Sequence, residues 1–179
     1  MKYNKFITVA IDSEASAGGG TQAKLISKHF NLYYLDTGKI YRYIAFLKKK
    51  YPKKFNKKFI KSKIKNLKVF DLQNKSLLSE EIGSAASQIA KKLYIRKIVY
   101  RFQIKCAYSP PKKFNGSCLD GRDITTKIMP NAMFKFFITA HARVRAKRRF
   151  NELKKMKKRT SLIKVLKSIK IRDKSDYQR

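Results

Sequence analysis

Cysteine and histidine are scarce in this chain, two of each in 179 residues, and the cysteines, Cys106 and Cys118, have no ligand-like spacing. That excludes a disulfide scaffold and a zinc module, and it predicts buried thiols in a reducing cytoplasm. Long apolar runs are also missing. The first, Phe6–Ile11, stops at Asp12 after six residues, short of a signal-peptide core, and nothing later approaches the roughly 18 needed to span a bilayer. A soluble, cytoplasmic, single-domain chain is expected, with no membrane partner. At this length about 70% of the unfolded surface can be buried, so stability needs neither crosslinks nor metals.

Acidic residues are the other shortage: 11 Asp and Glu against 45 Lys and Arg leave a net charge of +34. Such a surface attracts any polyanion without regard to sequence. Yet the lysines are scattered (Lys48–Lys50, Lys53–Lys54, Lys57–Lys58, Lys154–Lys155) instead of forming one cassette with interleaved aromatics, a pattern that favours compositional drift on solvated positions over a nucleic-acid site. Nucleic acid is expected to bind only through non-specific charge.

What is present is organised around Phe6 to Lys24. The β-branched run Ile7, Val9, Ile11 predicts a strand buried on both faces, as in a parallel sheet. A loop of small residues, Ser13 to Gly20, then leads into a helix at Thr21. Strand, glycine-rich loop and helix make a phosphate cradle, because backbone N–H groups converge on an anion at the helix's positive end. The full Walker pattern is G-x-x-x-x-G-K-[ST]. With its second glycine on Gly18, Ser13 stands at the first glycine and Gly19 at the lysine, while Thr21 offers a Mg²⁺-side hydroxyl. Glu14 adds a negative charge to the loop. From the loop alone, a phosphate site and a plain strand-to-helix turn are both open.

Along the rest of the chain, a helix from Thr21 to about Phe30 is expected to carry Leu25, Ile26 and Phe30 as an apolar stripe on one face. A strand at Leu32–Leu35 precedes Asp36-Thr37-Gly38, which caps a helix carrying Ile40, Ile44 and Leu47. Arg42, early in that helix, falls where ligands bind in open α/β sheets. Tyr51–Leu67 has the spacing of one amphipathic helix, and residues 67–78 read as a hairpin turning near Gln73-Asn74. Helices are expected from Ser79 and from Tyr94, the second ended by Pro110-Pro111. Strands are expected at Gly116–Asp120 and Phe134–Ile138. Gly121-Arg122-Asp123 closes the third strand as a polar cluster. A helix over Ala142–Met156 carries Arg143, Arg145, Arg148 and Arg149, and a last one runs from Ser161 to Ile171. Alternating strands and helices predict an α/β fold with a parallel sheet.

Taken in order, I-D-S-E-A-S-A-G-G-G-T, Y-L-D-T-G-K-I-Y-R, S-A-A-S-Q-I-A with Arg96 nine residues past Ser87, L-D-G-R-D-I-T-T, and R-A-K-R-R-F followed by I-R-D-K-S-D-Y-Q-R resemble the motifs of the bacterial cytidylate kinases, which are nucleoside monophosphate kinases. The resemblance implies a P-loop three-layer α/β/α fold of one domain, residues 1–179. It also implies a shortened acceptor-nucleotide insert at about 51–92 and a lid at about 143–160. It further implies a monomer that transfers the γ-phosphoryl group of ATP, with Mg²⁺, to CMP or dCMP.

Carried over residue by residue, Ala17, Gly18, Gly19, Gly20 and Thr21 would bind the ATP phosphates, with Thr21 on the metal side. Ser87, Arg96 and Asp123 would read the cytosine, and Thr37, Arg42 and Arg122 would hold the acceptor phosphate. Arg172, Asp176 and Arg179 would reach the acceptor's ribose and phosphate. Arg148, Arg149 and Arg179 would be the catalytic cations, the first two from the lid. The sequence departs from the family at Gly19, where the family has its P-loop lysine, and at Ser13-Glu14, where it has Gly-Pro. Beyond Arg179 the family normally continues into a further strand, a nucleotide-base loop and a closing helix. Two other readings stay open: a catalytically impaired nucleotide-binding relative, and a basic nucleic-acid-associating protein on the same scaffold.

Overall fold

A computed structural model describes residues 6–157 and 159–177. Four parallel strands, β1 (Ile7–Ser13), β2 (Tyr33–Asp36), β3 (Gly116–Gly121) and β4 (Phe134–Ile138), form one sheet in the order β2-β3-β1-β4. β1 lies between β3 and β4, with Ile11 opposite Asp120 on one side and Phe136 on the other. Its residues from Thr8 to Ser13 are all buried, as the unbroken β-branched run requires.

The sheet is covered on both faces. Val9, Ile11 and Cys118 face α1 (Gly19–His29), whereas Ala10, Leu35 and Leu119 join the larger core built with α2 (Thr37–Lys50) and α5 (Leu93–Tyr108). Ile40, Ile44, Ile95 and Leu119 in that core are fully buried, each worth about 1.5–3 kcal/mol of stability relative to exposure. Asp36 begins α2 by accepting the Lys39 N–H at 3.2 Å. The predicted three-layer α/β arrangement is therefore present. Among the described residues, no helix is long and apolar enough to cross a membrane.

Three local expectations fail. α1 buries Gly19, Ala23 and Ser27 instead of the apolar stripe: Leu25 is 58% and Phe30 48% exposed. Small side chains let the helix lie close on β3, where the Cys118 thiol approaches the Ala23 carbonyl at 3.7 Å. The helix expected over Tyr51–Leu67 is a 3₁₀ turn, Pro52–Lys54, followed by α3 (Lys57–Lys65), because Asn56 caps a fresh start by accepting the Phe59 N–H. The expected hairpin is two 3₁₀ turns, Val69–Gln73 and Lys75–Leu78, which bury Leu72 and Leu77 against the α2 side of the core. With no Asn-Gly pair to reverse the chain, local turns win.

Helix α4 (Glu80–Ile89) is capped by Ser79, whose hydroxyl accepts the Ile82 N–H. Helices α6 (Ala142–Lys155) and α7 (Leu162–Tyr177) pack on each other through Ala146, Leu153, Val165 and Ile169. α7 runs six residues past its expected end at Ile171, so Arg172, Asp173 and Asp176 are helical. β4 closes the described sheet with Phe134, Phe136 and Phe137 at 47%, 45% and 62% exposure.

Candidate nucleotide site

The site lies at the carboxyl ends of the parallel strands, where an α/β sheet opens toward ligands. Seven of the chain's 11 carboxylates stand there: Asp12, Glu14, Asp36, Asp120, Asp123, Asp173 and Asp176. Arg42, Arg96, Arg122, Arg145 and Arg148 share this edge with them, while most of the lysines are exposed at scattered positions.

Between β1 and α1, Ser16 (φ +60°) and Gly18 (φ +101°) adopt left-handed backbone and fold the loop over the helix N-terminus. Gly20 lies close to Asp120, and a Cβ there would press on its Oδ2 at 3.3 Å. Glu14 turns away from the cradle. Its carboxylate accepts from the Thr139 hydroxyl, the Ala140 N–H and the Tyr177 hydroxyl, and lies 3.6 Å from Arg145. Burial pushes its pKa up, but those hydrogen bonds and the Arg145 charge outweigh burial and leave it below the ordinary value. The charge that argued against a phosphate loop is thus neutralised behind it.

Arg145, only 3% exposed, grips Asp173 with two hydrogen bonds at 3.0 and 2.8 Å and donates to the Ala140 and Ala15 carbonyls. Three residues on, Arg148 donates to the Ala17 carbonyl at 3.3 Å. α6 and α7 are in this way fastened to the loop. In the sequence Arg145 stands as one of several arginines on a helix, because periodicity does not distinguish an anchoring arginine from a solvated one.

Beneath the loop, Asp120 is 8% exposed, and its Oδ1 and the neighbouring Tyr34 hydroxyl have no hydrogen-bond partner. Burial first, then the Asp36 charge, push the Asp120 carboxyl up to about 7, against the pull of the nearby Tyr34 hydroxyl, Lys24 and Arg122. Asp36 itself is engaged in capping α2. The Asp120 carboxylate, with Oδ1 buried and unpartnered and Oδ2 3.3 Å from where a Gly20 Cβ would stand, fits a divalent cation that also binds phosphates, since Mg²⁺ takes one or two carboxylates and completes its shell with phosphate and water.

On the acceptor side, Arg96 meets Asp123 at 2.6 Å across 27 residues, and Arg122 meets Asp176 at 2.8 Å. Asp123 is held in left-handed backbone (φ +59°), and the π turn after it, Ile124–Ile128, is pinned by Asp12, which accepts from Ile124 N, Thr125 N and the Thr125 hydroxyl. Asp12 was not among the expected site residues, although its place at the end of the first buried strand was the available signal. Ser87 is half-buried on α4, and Arg172 is exposed on α7. Thr37 is buried, its hydroxyl donating to the Asp120 carbonyl at 2.9 Å.

Arg42 donates to the Leu77 and Ser79 carbonyls, in space left by Gly83. Burial lowers its pKa, the Asp36 charge opposes this, and the charge of Arg149 adds a smaller lowering. A cavity of about 230 Å³ lies between the loop, Arg122-Asp123 and α7. Arg179 lies outside the described residues.

A parallel sheet of this order, with a glycine loop opening α1 and arginines from α6 folded over it, defines a P-loop nucleotide-binding protein of the kinase type. The family profile described as cytidylate kinase matches residues 9–179. A cytidylate kinase of Bartonella bacilliformis is 39% identical over 179 residues, spanning 98% of this chain and 80% of that protein. One from Clostridium tetani is 37% identical over 186 residues (97% and 79%), and one from Rickettsia bellii 34% over 180 residues (100% and 80%). The chain belongs to the cytidylate kinase family.

Proposed function

We propose that the protein transfers the γ-phosphoryl group of ATP to CMP or dCMP, acting in the cytoplasm as a monomer. The observation that carries the acceptor's identity is the Arg96–Asp123 pair. Cytosine presents an N4 amino donor beside ring acceptors. The Asp123 carboxylate accepts from the amino group, and the Arg96 guanidinium donates to the acceptors, with Ser87 alongside. Uracil, with an acceptor in place of the amino group, would set two acceptors against each other. Site groups left unpaired in this way discriminate strongly against the wrong ligand.

Arg122, Arg42 and Arg172 supply positive charge for the acceptor phosphate, and Asp176 orients Arg122. Thr37 contributes by fixing the start of α2 to β3. Gly18 to Thr21 cradle the donor phosphates, and Arg148 and Arg149 approach from α6, residues 143–160 serving as the lid and 51–92 as the acceptor insert. Thr21 and Asp120 would hold Mg²⁺, which neutralises phosphate charge as the transition state forms. Phosphoryl transfer asks the protein mainly for in-line positioning and cationic stabilisation, and this edge of the sheet gathers groups for both.

A second reading, nucleotide binding without turnover, is favoured by one feature, the missing lysine at Gly19. The test is ADP release from ATP and Mg²⁺ in a coupled assay. CMP-dependent release, absent with UMP and AMP, supports the kinase reading. Calorimetric binding of CMP without turnover supports the second, and neither binding nor turnover refutes both.

A further inference from the structure

The absent lysine has a structural counterpart inside the loop. A Cβ built on Gly19 would lie 2.6 Å from the Ser13 Cβ and closer still to its hydroxyl. The Ser13 Cβ is fixed by a buried strand end, so it cannot give way as the tip of a flexible chain would. Ser13 and any side chain at position 19 therefore exclude each other. The two departures at this loop form one packing unit, and a cation for the phosphates has to come from another element.

Arg148 is placed to be that cation. Its Nη1 lies 3.3 Å from the Ala17 carbonyl and 3.9 Å from where a Gly18 Cβ would stand. Arg145, three residues earlier and thus on the same face of α6, is locked to the Ala15 carbonyl, so two arginines of one helix dock on alternate carbonyls of the loop. Arg145 is consumed by Asp173, and Arg149 pairs with Glu152 at 3.1 Å. Glu14, the loop's own carboxylate, is turned toward Thr139 and Tyr177 and does not neutralise Arg148. The charge of Lys24 acts on the buried Asp120 carboxylate.

We propose that Arg148 takes the role of the loop cation for the donor polyphosphate in this chain, and that Ser13 enforces the exchange by keeping position 19 without a side chain. Because guanidinium presents five donors in a planar fork, the bond to Ala17 leaves N–H groups to reach phosphate oxygens. The inference rests on the phosphoryl-transfer reading above. Arg148 is exposed, and when it is truncated Arg145 still fastens α6 to the loop through the Ala15 carbonyl.

The experiment compares the parent with Arg148→Ala, Arg148→Lys, Lys24→Ala, Gly19→Lys, and the triple variant Ser13→Gly/Gly19→Lys/Arg148→Ala. CMP-dependent ADP release and MgADP binding by calorimetry are measured for each. Arg148→Ala is expected to lose about 10²–10³-fold in kcat, the usual loss for removing a group that stabilises transition-state charge. Arg148→Lys should retain part of the rate, and the triple variant should recover at least about tenfold over Arg148→Ala. Gly19→Lys with Ser13 kept should lower the melting temperature. The idea is overturned if Arg148→Ala stays within about threefold of the parent, if Lys24→Ala accounts for the loss instead, or if Gly19→Lys is accommodated without loss of stability. Should the parent not phosphorylate CMP at all, the kinase reading fails, and MgADP affinity alone decides. Weakening of about tenfold or more in Arg148→Ala with recovery in the triple variant supports the exchange; equal affinities, or no saturable binding, refute it.

Discussion

Asp120→Asn should make the folded protein more stable and the site less able to bind metal. The side chain is 8% exposed, with one oxygen unpartnered, and its carboxyl is raised from 3.8 to about 7. A raised acid binds its proton more tightly in the folded state than in the unfolded chain. Below about pH 4 both states are protonated and Asp120 costs nothing. Between about pH 4 and pH 7 the unfolded chain ionises first, so stability falls as pH rises, and above pH 7 the loss is constant. At about 1.4 kcal/mol for each pKa unit, the full loss approaches ~4 kcal/mol. Asn carries no charge to desolvate. Its advantage over the parent should therefore be small at pH 4.5 and reach up to about 4 kcal/mol at pH 8, or roughly 8–16 °C in melting temperature for a chain of this size.

Urea unfolding at the two pH values, with and without MgADP, measures this. In the parent, MgADP should recover part of the loss at pH 8; in Asp120→Asn it should recover much less. Asp36→Asn, which removes the second cause of the shift, should move the pH window downward. An Asn variant no more stable than the parent at pH 8, or an advantage that does not shrink on acidification, would refute the reasoning.

Asp173→Ala strips the buried Arg145 of its bidentate partner and should cost about 3–5 kcal/mol in urea unfolding, whereas Arg145→Met/Asp173→Leu should cost less than Asp173→Ala alone. Asp123→Ala should narrow the rate ratio between CMP and UMP by tenfold or more, read as kcat/KM for each, because the amino-group acceptor is gone. Leu119→Ala, at a fully buried position on the central layer, should cost about 2–5 kcal/mol with the kinetic constants of the folded fraction unchanged. Binding of an arbitrary oligonucleotide should weaken steeply between 50 and 200 mM salt, because most of the lysines are exposed at scattered positions.

The strands and their order of use were legible in the sequence because β-branched runs bounded by turn residues leave few alternatives: Phe134–Ile138 was placed to the residue, and Gly116–Asp120 to within one. Helix faces were less legible. Leu25 and Phe30 give α1 an apolar stripe at helical spacing, yet close contact with β3 selects Ala23 and Ser27, and closeness is a tertiary property. The stretch 67–78 failed because alternation without a turn pair fits 3₁₀ turns equally well.

At the site, Arg96 and Asp123, or Arg122 and Asp176, are recognisable only as types at distant positions, and their pairing requires the fold. The steric exclusion between Ser13 and position 19 was invisible in sequence, where the two departures appear unrelated. Asp12 and Arg145 were not singled out because their partners, the Ile124–Thr125 turn for one and Asp173 with the Ala15 carbonyl for the other, lie on distant segments.

The exposed phenylalanines of β4 bear on how the protein behaves in the tube. Among the described residues β4 pairs with β1 alone, and a strand edge with open backbone groups and apolar side chains is a template for intermolecular pairing. What opposes it here is the net charge of +34, which holds molecules apart at low ionic strength. Added salt shortens the reach of that repulsion, to about 8 Å at 0.15 M, and leaves the attraction between apolar edges untouched. Light scattering should accordingly show dispersed particles in dilute buffer and growing assemblies as salt is raised, so that the conditions that strip polyanions from this surface are also those that bring the chains together.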